Sequence, residues 1–245
     1  PKAASMASDL KRRVPTAIAM IVVVLLATWY GGFPFLLFWA LAGLIVWYEW
    51  AAIVRVSHNT IVLALGFLII AIAAVFLSAH QPLFAFAAIA FGAIGVAALT
   101  SGNGTARVWS GVGLVYSGFV VLPVVLFRND ALLGFFAVIW LFAVVWLTDI
   151  AAYFCGRFIG GPKLVPAISP KKTWSGAIGG TVFGVLGGVG VATYATGRTA
   201  ILHFVIALLV SVFSQLGDIF ESSVKRKFGK KDSSGILPGH GGVMD

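Results

Sequence analysis

Charge is scarce in this chain: Asp, Glu, Lys and Arg make up 10% of its 245 residues, against 60% hydrophobic residues and a mean hydropathy of +1.02. That balance excludes a sizeable water-soluble domain and reads as a chain that lives in a bilayer. Cysteine is nearly absent, with Cys155 standing alone, so an internal disulfide framework is excluded. Acidic residues number only 8 against 17 Lys plus Arg, and the surplus of +9 reports membrane orientation and anionic partners. The partners expected are membrane lipids and soluble anions, with no nucleic acid. The first half of the chain holds almost no polar side chains and reads as scaffold. No internal repeat stands out, which weakens an inverted-repeat transporter reading.

What the chain has in excess is uncharged length. Residues Val14 to Tyr48 and Thr60 to Ala106 carry no charge. Each run is too long for one helix rising ~1.5 Å per residue across a ~30 Å hydrocarbon core. Gly31-Gly32-Phe33-Pro34 and Ser78-Ala79-His80-Gln81-Pro82 therefore read as turns. Single spans follow at Val108 to Phe127, Ala131 to Ile150, Gly176 to Ala195 and Ala200 to about Phe220. The expectation is an all-α polytopic membrane protein with about eight transmembrane helices and a cytoplasmic N-terminus. Alternating loops place only Arg128 and Arg198 on the far side, as the positive-inside rule requires. Three regions are expected: a basic cytoplasmic segment at 1–13, scaffold helices one to five at 14–130, and helices six to eight with cytoplasm-facing loops at 131–245.

A carboxylate at membrane depth costs several kcal/mol, so the few acidic residues are the informative ones. Asp9 and Asp130 read as solvated, and Glu49, closing the second span, is expected to pair with Arg55. The other five, Asp149, Asp218, Glu221, Asp232 and Asp245, fall toward the C-terminus. Asp218 and Glu221 recur at the helical period with Ser211, Ser214, Gln215, Ser222 and Lys225, which predicts a polar stripe on the eighth helix. Such a stripe serves either a structural hydrogen-bond seam or a cation site. The two carboxylates favour the cation, and oxygen ligands without a Cys or His pair suit Mg2+ rather than zinc. Asp149 closes the sixth span, either as a helix-end partner of Arg157 or as a further member of that site.

Ser169-Pro170-Lys171-Lys172-Thr173-Trp174-Ser175-Gly176 precedes a helix, where two lysines, hydroxyls and the helix dipole suit a phosphate. An ordinary basic flank with a Ser or Thr cap fits the same residues, and composition alone favours it. Gly156 to Lys163 is not a phosphate loop, because Pro162 stands where the lysine should follow the glycine. Gly176, Gly180, Gly184 and Gly188 form a small-residue stripe for close helix packing. Near the end, a basic run from Lys225 to Lys231 suits anionic headgroups, and Pro238-Gly239-His240-Gly241-Gly242 is a turn whose backbone N–H groups admit a ligand. His58, His80 and His203 read as bystanders.

Ser222-x-Val224-Lys225-Arg226, Lys231-Asp232 and Pro238-x-His240-Gly241-Gly242-Val243-x-Asp245 together resemble the signature of the phosphatidate cytidylyltransferases, or CDP-diacylglycerol synthases. Gly217-Asp218-Ile219-Phe220-Glu221-Ser222 and Ser169 to Trp174 resemble two further blocks of that family. The motifs cover roughly the C-terminal hundred residues, and the rest matches in hydrophobic layout alone. The resemblance implies CTP plus phosphatidic acid giving CDP-diacylglycerol and pyrophosphate, with Mg2+ and a second ion such as K+. It implies Asp218 and Asp245 as metal ligands, with Glu221 and Asp149 as further candidates. Asp218, Lys225, Arg226, Asp232 and Asp245 are the catalytic candidates. Ser169, Lys171, Lys172, Thr173, Ser222, His240, Gly241 and Gly242 are the substrate-binding candidates. A homodimer stays open, and the setting implied is a bacterial inner membrane with its site facing the cytoplasm. Two departures stand out: the family's ninth helix is expected beyond Asp245, and Ser175 occupies a place where an acidic residue is frequent. An ion-coupled transporter and a CTP-dependent polyprenol or dolichol kinase remain as alternatives.

Overall fold

A computed structural model describes residues 2–237 and 241–245, with side chains from Pro15 onward. The His240 assignment lies outside the described residues. The elements are α1 (Lys2–Tyr30), α2 (Gly32–Ile53), α3 (Thr60–Ser78), α4 (Pro82–Leu99), α5 (Gly104–Arg128), α6 (Gly134–Phe158), β1 (Lys163–Val165), β2 (Ser169–Thr173), α7 (Trp174–Thr196) and α8 (Ile201–Lys227). Both expected turns are there, and Gly31 takes φ +64°, a left-handed conformation that ends α1 and that glycine adopts without a Cβ clash. Among the described residues, seven helices, α2 to α8, are long and apolar enough to cross a membrane; the apolar part of α1, Pro15–Tyr30, is shorter.

The chain divides into two units, residues 1–129 with 230–245, and residues 130–229. In lipid, no hydrophobic drive pulls one apolar helix onto another, so association rests on close packing. The first unit packs α2 to α5 around the fully buried Trp47 and Trp50 of α2. Each indole is seated on a glycine, Trp47 on Gly66 of α3 and Trp50 on Gly113 of α5, where a Cβ would collide with the ring. Each indole N–H also donates to a backbone carbonyl, Trp47 to Leu63 at 3.1 Å and Trp50 to Trp109 at 2.8 Å. The C-terminal end of α2 is therefore fixed in position and orientation.

The second unit rests on the glycine stripe of α7, which packs along α6 as the sequence predicts. Gly176, Gly180, Gly184 and Gly188 are all buried. A Cβ added at Gly176 would lie 2.7 Å from the carbonyl of Ala152, and one at Gly180 would lie 2.6 Å from that of Thr148. The two backbones thus touch, with no side chain between them.

Three local expectations are corrected. Helix α6 continues to Phe158 rather than stopping at Ile150, so Asp149 sits inside the helix instead of closing it. The stretch before α7 is not a plain flank but an antiparallel hairpin, with Lys163 opposite Thr173 and Val165 opposite Ser169. Its base is tied by Trp174 N–H to Pro162 O at 3.1 Å and by the Ser175 hydroxyl to Gly160 O. Ser175 thus closes the hairpin. Finally, Glu49 does not pair with Arg55: its carboxylate is fully buried and taken up by donors of the C-terminal segment.

Candidate active site

In the second unit, α6, the β1–β2 hairpin, α7 and α8 enclose a cavity of about 490 Å³. Its chemistry comes from three sequence positions brought together. Helix α6 contributes Asp149, Tyr153 and Arg157, spaced four residues apart and so aligned on one helical face. Strand β2 contributes Lys171 and Lys172, and α8 contributes Gln215 and Asp218. Three cations and two carboxylates therefore line one space. The extension of α6 makes this possible, because Tyr153 and Arg157 lie beyond the predicted helix end.

Lys172 Nζ sits 2.5 Å from Asp218 Oδ2, with side-chain exposures of 26% and 54%. Arg157 donates to the Tyr153 hydroxyl at 2.7 Å and lies over the same ring, 5.9 Å from its centroid. Asp149 lines the cavity from within α6. Thr173 is 5% exposed, and its hydroxyl accepts from Gly176 N–H at 3.1 Å, capping α7 from the cavity wall. Gly156 lets that wall close: a Cβ there would stand 2.9 Å from the Thr173 hydroxyl.

The polar stripe of α8 splits into two functions along its length. Ser211 meets Thr148 at 2.8 Å in a buried pair, and Gln215 donates to Thr181 at 2.9 Å, so this end is a hydrogen-bond seam. Asp218, one turn on, turns to the cavity. Glu221 and Lys225 pair at 2.7 Å with exposures of 11% and 12%, an i,i+4 ion pair rather than part of the cavity lining. Ser169, Ser222 and Arg226 also lie outside that lining. Beside the polar cavity is an apolar cleft, also about 490 Å³, walled by Leu164, Val165, Trp174, Ile178, Val212 and Leu216. The two spaces share Leu164, Ala177, Gln215 and Ile219.

In the first unit, the C-terminal segment folds onto two carboxylates. Asp245 Oδ2 accepts from Ser233 N–H, the Ser233 hydroxyl and Gly242 N–H, each at 2.8 Å. Glu49 Oε1 accepts from the Ser234 hydroxyl at 2.6 Å and Val243 N–H at 2.9 Å, while Oε2 accepts from Met244 N–H at 2.8 Å. Leu237 and Gly241 exchange backbone hydrogen bonds of 2.8 and 3.1 Å. Asp232 is exposed and lies beside Gly241. Asp218 and Asp245, both expected as metal ligands, belong to different units. Among the described residues, no group of three or more His, Cys, Asp and Glu side chains could hold a metal by itself.

Residues 11–245 match the family described as the cytidylyltransferase family. A phosphatidate cytidylyltransferase of Brucella suis biovar 1 (strain 1330) is 44% identical over 243 residues, covering 97% of this chain and 88% of the relative. The protein of that name from Brucella abortus (strain 2308) is 43% identical over the same shares. One from Staphylococcus saprophyticus is 43% identical over 111 residues, 45% of this chain and 40% of the relative.

Proposed function

Because this chain belongs to the cytidylyltransferase family, we propose that it transfers the cytidylyl group of CTP to phosphatidate, giving CDP-diacylglycerol and pyrophosphate. The observation that carries the reading is the second unit's cavity, which Arg157, Lys171 and Lys172 line together with Asp149 and Asp218 beside an apolar cleft. Two polyanions must meet for this reaction, and their mutual repulsion is the main obstacle. Fixed cations in a partly dehydrated space lower that barrier more than a base would. A phosphate monoester, with its second pKa near ~6, is already largely ionised at neutral pH. An oxygen of the lipid phosphate attacks the α-phosphorus, the bond to the β-phosphate oxygen breaks, and pyrophosphate leaves with the electron pair.

Mg2+ fits the donor set, since it takes one or two carboxylates and completes its shell with phosphate oxygens and water. Asp149 and Asp218 are the residues that would hold it, and it would supply charge neutralisation at the triphosphate. Lys172 neutralises Asp218 before substrate arrives and turns to phosphate oxygens afterwards. Lys171 and Arg157 hold the remaining charge, with Tyr153 orienting the guanidinium. The acyl chain nearest the headgroup lies along the apolar cleft. Asp245 keeps the Gly241-Gly242 turn in shape for the nucleotide. On this reading the cavity faces the cytoplasm of a bacterial inner membrane, because Lys163, Lys171 and Lys172 belong to the basic side of the chain.

The test is purified protein given CTP labelled at the α-phosphate, phosphatidate and Mg2+. Label recovered in lipid with release of pyrophosphate supports the transfer. No lipid label from this CTP, with label entering a polyprenol acceptor when CTP labelled at the γ-phosphate is supplied instead, would make the protein a kinase.

A further inference from the structure

Glu49 is the one carboxylate of α2, and it is completely shielded from solvent. Its side chain reaches donors 184 to 195 residues further along the chain. We infer that Glu49 is a positioning residue: it holds the Gly241–Asp245 turn in the shape that nucleotide transfer requires. The inference rests on the transfer reading given above and adds a residue to it.

The geometry distinguishes a carboxylate from any neutral substitute. Oε1 faces Val243 N–H and Oε2 faces Met244 N–H, so both oxygens must accept from backbone. A glutamine fills the same volume, yet either orientation of its amide points an NH2 group at a backbone N–H. One buried donor is then left without an acceptor. Gly242 shows how close the approach is, because a Cβ there would strike both the Glu49 carboxylate and the Ser233 hydroxyl. The carboxylate lies against bare backbone.

The anchor itself is rigid. Trp47 and Trp50, flanking Glu49 within one turn, are fully buried and hydrogen-bonded through their indoles. The held segment, in contrast, brings little apolar surface: Met244 is its one buried hydrophobic side chain among the described residues. Its order depends on the two carboxylates that grip it, Glu49 and Asp245. Ser233 links them, 2.8 Å from Asp245 and 3.2 Å from Glu49. Its hydroxyl has one proton, which the shorter contact takes, leaving Glu49 to the Ser234 hydroxyl and the two backbone donors.

The experiment compares the full-length wild type with Glu49→Gln and Ser234→Ala in detergent, measuring kcat and KM for CTP and for phosphatidate beside the thermal midpoint. Losing acceptance of a buried backbone donor lowers kcat/KM for CTP about 10- to 100-fold in Glu49→Gln, and less in Ser234→Ala. The KM for phosphatidate stays within about twofold, since the turn acts on the nucleotide alone. Restoring the hydroxyl as Ser234→Thr recovers the CTP constants. Wild-type CTP kinetics in Glu49→Gln overturn the inference. So does an equal loss for both substrates that follows a lowered midpoint, which would mark a purely structural role. A separate arm works without turnover: trypsin cleavage after Lys230 or Lys231, read by mass, accelerates in Glu49→Gln, and an unchanged rate overturns the inference. A wild type inactive with CTP and phosphatidate would instead refute the transfer reading, while the trypsin arm still decides whether Glu49 holds the segment.

Discussion

Replacing Lys172 by Met separates what the lysine does for the fold from what it does for the reaction. Its ion pair with Asp218 is short at 2.5 Å, but the side chains are 26% and 54% exposed. Solvent screening holds such a pair to about 0–1 kcal/mol of stability. The methionine keeps most of the stem's packing. The thermal midpoint of Lys172→Met should therefore fall by no more than a few degrees. On the proposed reading of the reaction, the ammonium meets a phosphate oxygen in a charge-assisted hydrogen bond, whose loss costs about 1.5–3 kcal/mol. At ~1.4 kcal/mol per tenfold, kcat/KM should drop about 10- to 100-fold. The assay follows labelled CTP into lipid at several CTP concentrations, next to a thermal scan of the same preparation. Asp218→Asn in the same background should add less than it does alone, because the two side chains touch and share one charge balance. Unchanged kcat/KM with a lowered midpoint would show that Lys172 is a structural counter-ion and would refute its assignment to phosphate.

Other consequences can be measured directly. Gly180→Leu drives a side chain into the Thr148 carbonyl and Ala152, so α7 must move off α6; the expected outcome is loss of ~3 kcal/mol or more, read as poor recovery of folded protein from detergent. Thr173→Val removes the cap of α7 and should cost about 1 kcal/mol, seen as a lower midpoint. Chelation with EDTA should abolish turnover and leave the midpoint nearly unchanged, with activity restored by Mg2+, because the candidate ligands line a cavity rather than a structural core.

The helices were legible because charge gaps and turn residues mark them; Gly31 and Pro82 stand where the chain reverses. Their ends were less so. Asp149 looked like a terminus because a carboxylate after an apolar run normally marks one, whereas here α6 carries it into a cavity and continues to Arg157 and Phe158. Strand β2 of the hairpin, Ser169–Thr173, has no apolar alternation to announce it. Asp149, Asp218, Lys171 and Lys172 were found from cost and charge, and they do share one cavity. Tyr153 and Arg157 follow from Asp149 by helical spacing once the helix is known to continue. Glu49 was matched to the nearest cation in sequence, but its acceptors' needs are met by backbone N–H groups and serine hydroxyls, which leave no signature in composition.

The span between Glu49 and the residues that receive it also sets an order of assembly. At synthesis rates of about 5–20 residues per second, α2 enters the membrane some 10–40 s before Ser234, Val243 and Met244 exist. Throughout that interval the newborn helix carries a carboxylate with no permanent acceptance, and its place one turn from Ile53 lets it wait at the water boundary instead of in hydrocarbon. A stretch translated long after α2 is thus the latch that closes on it.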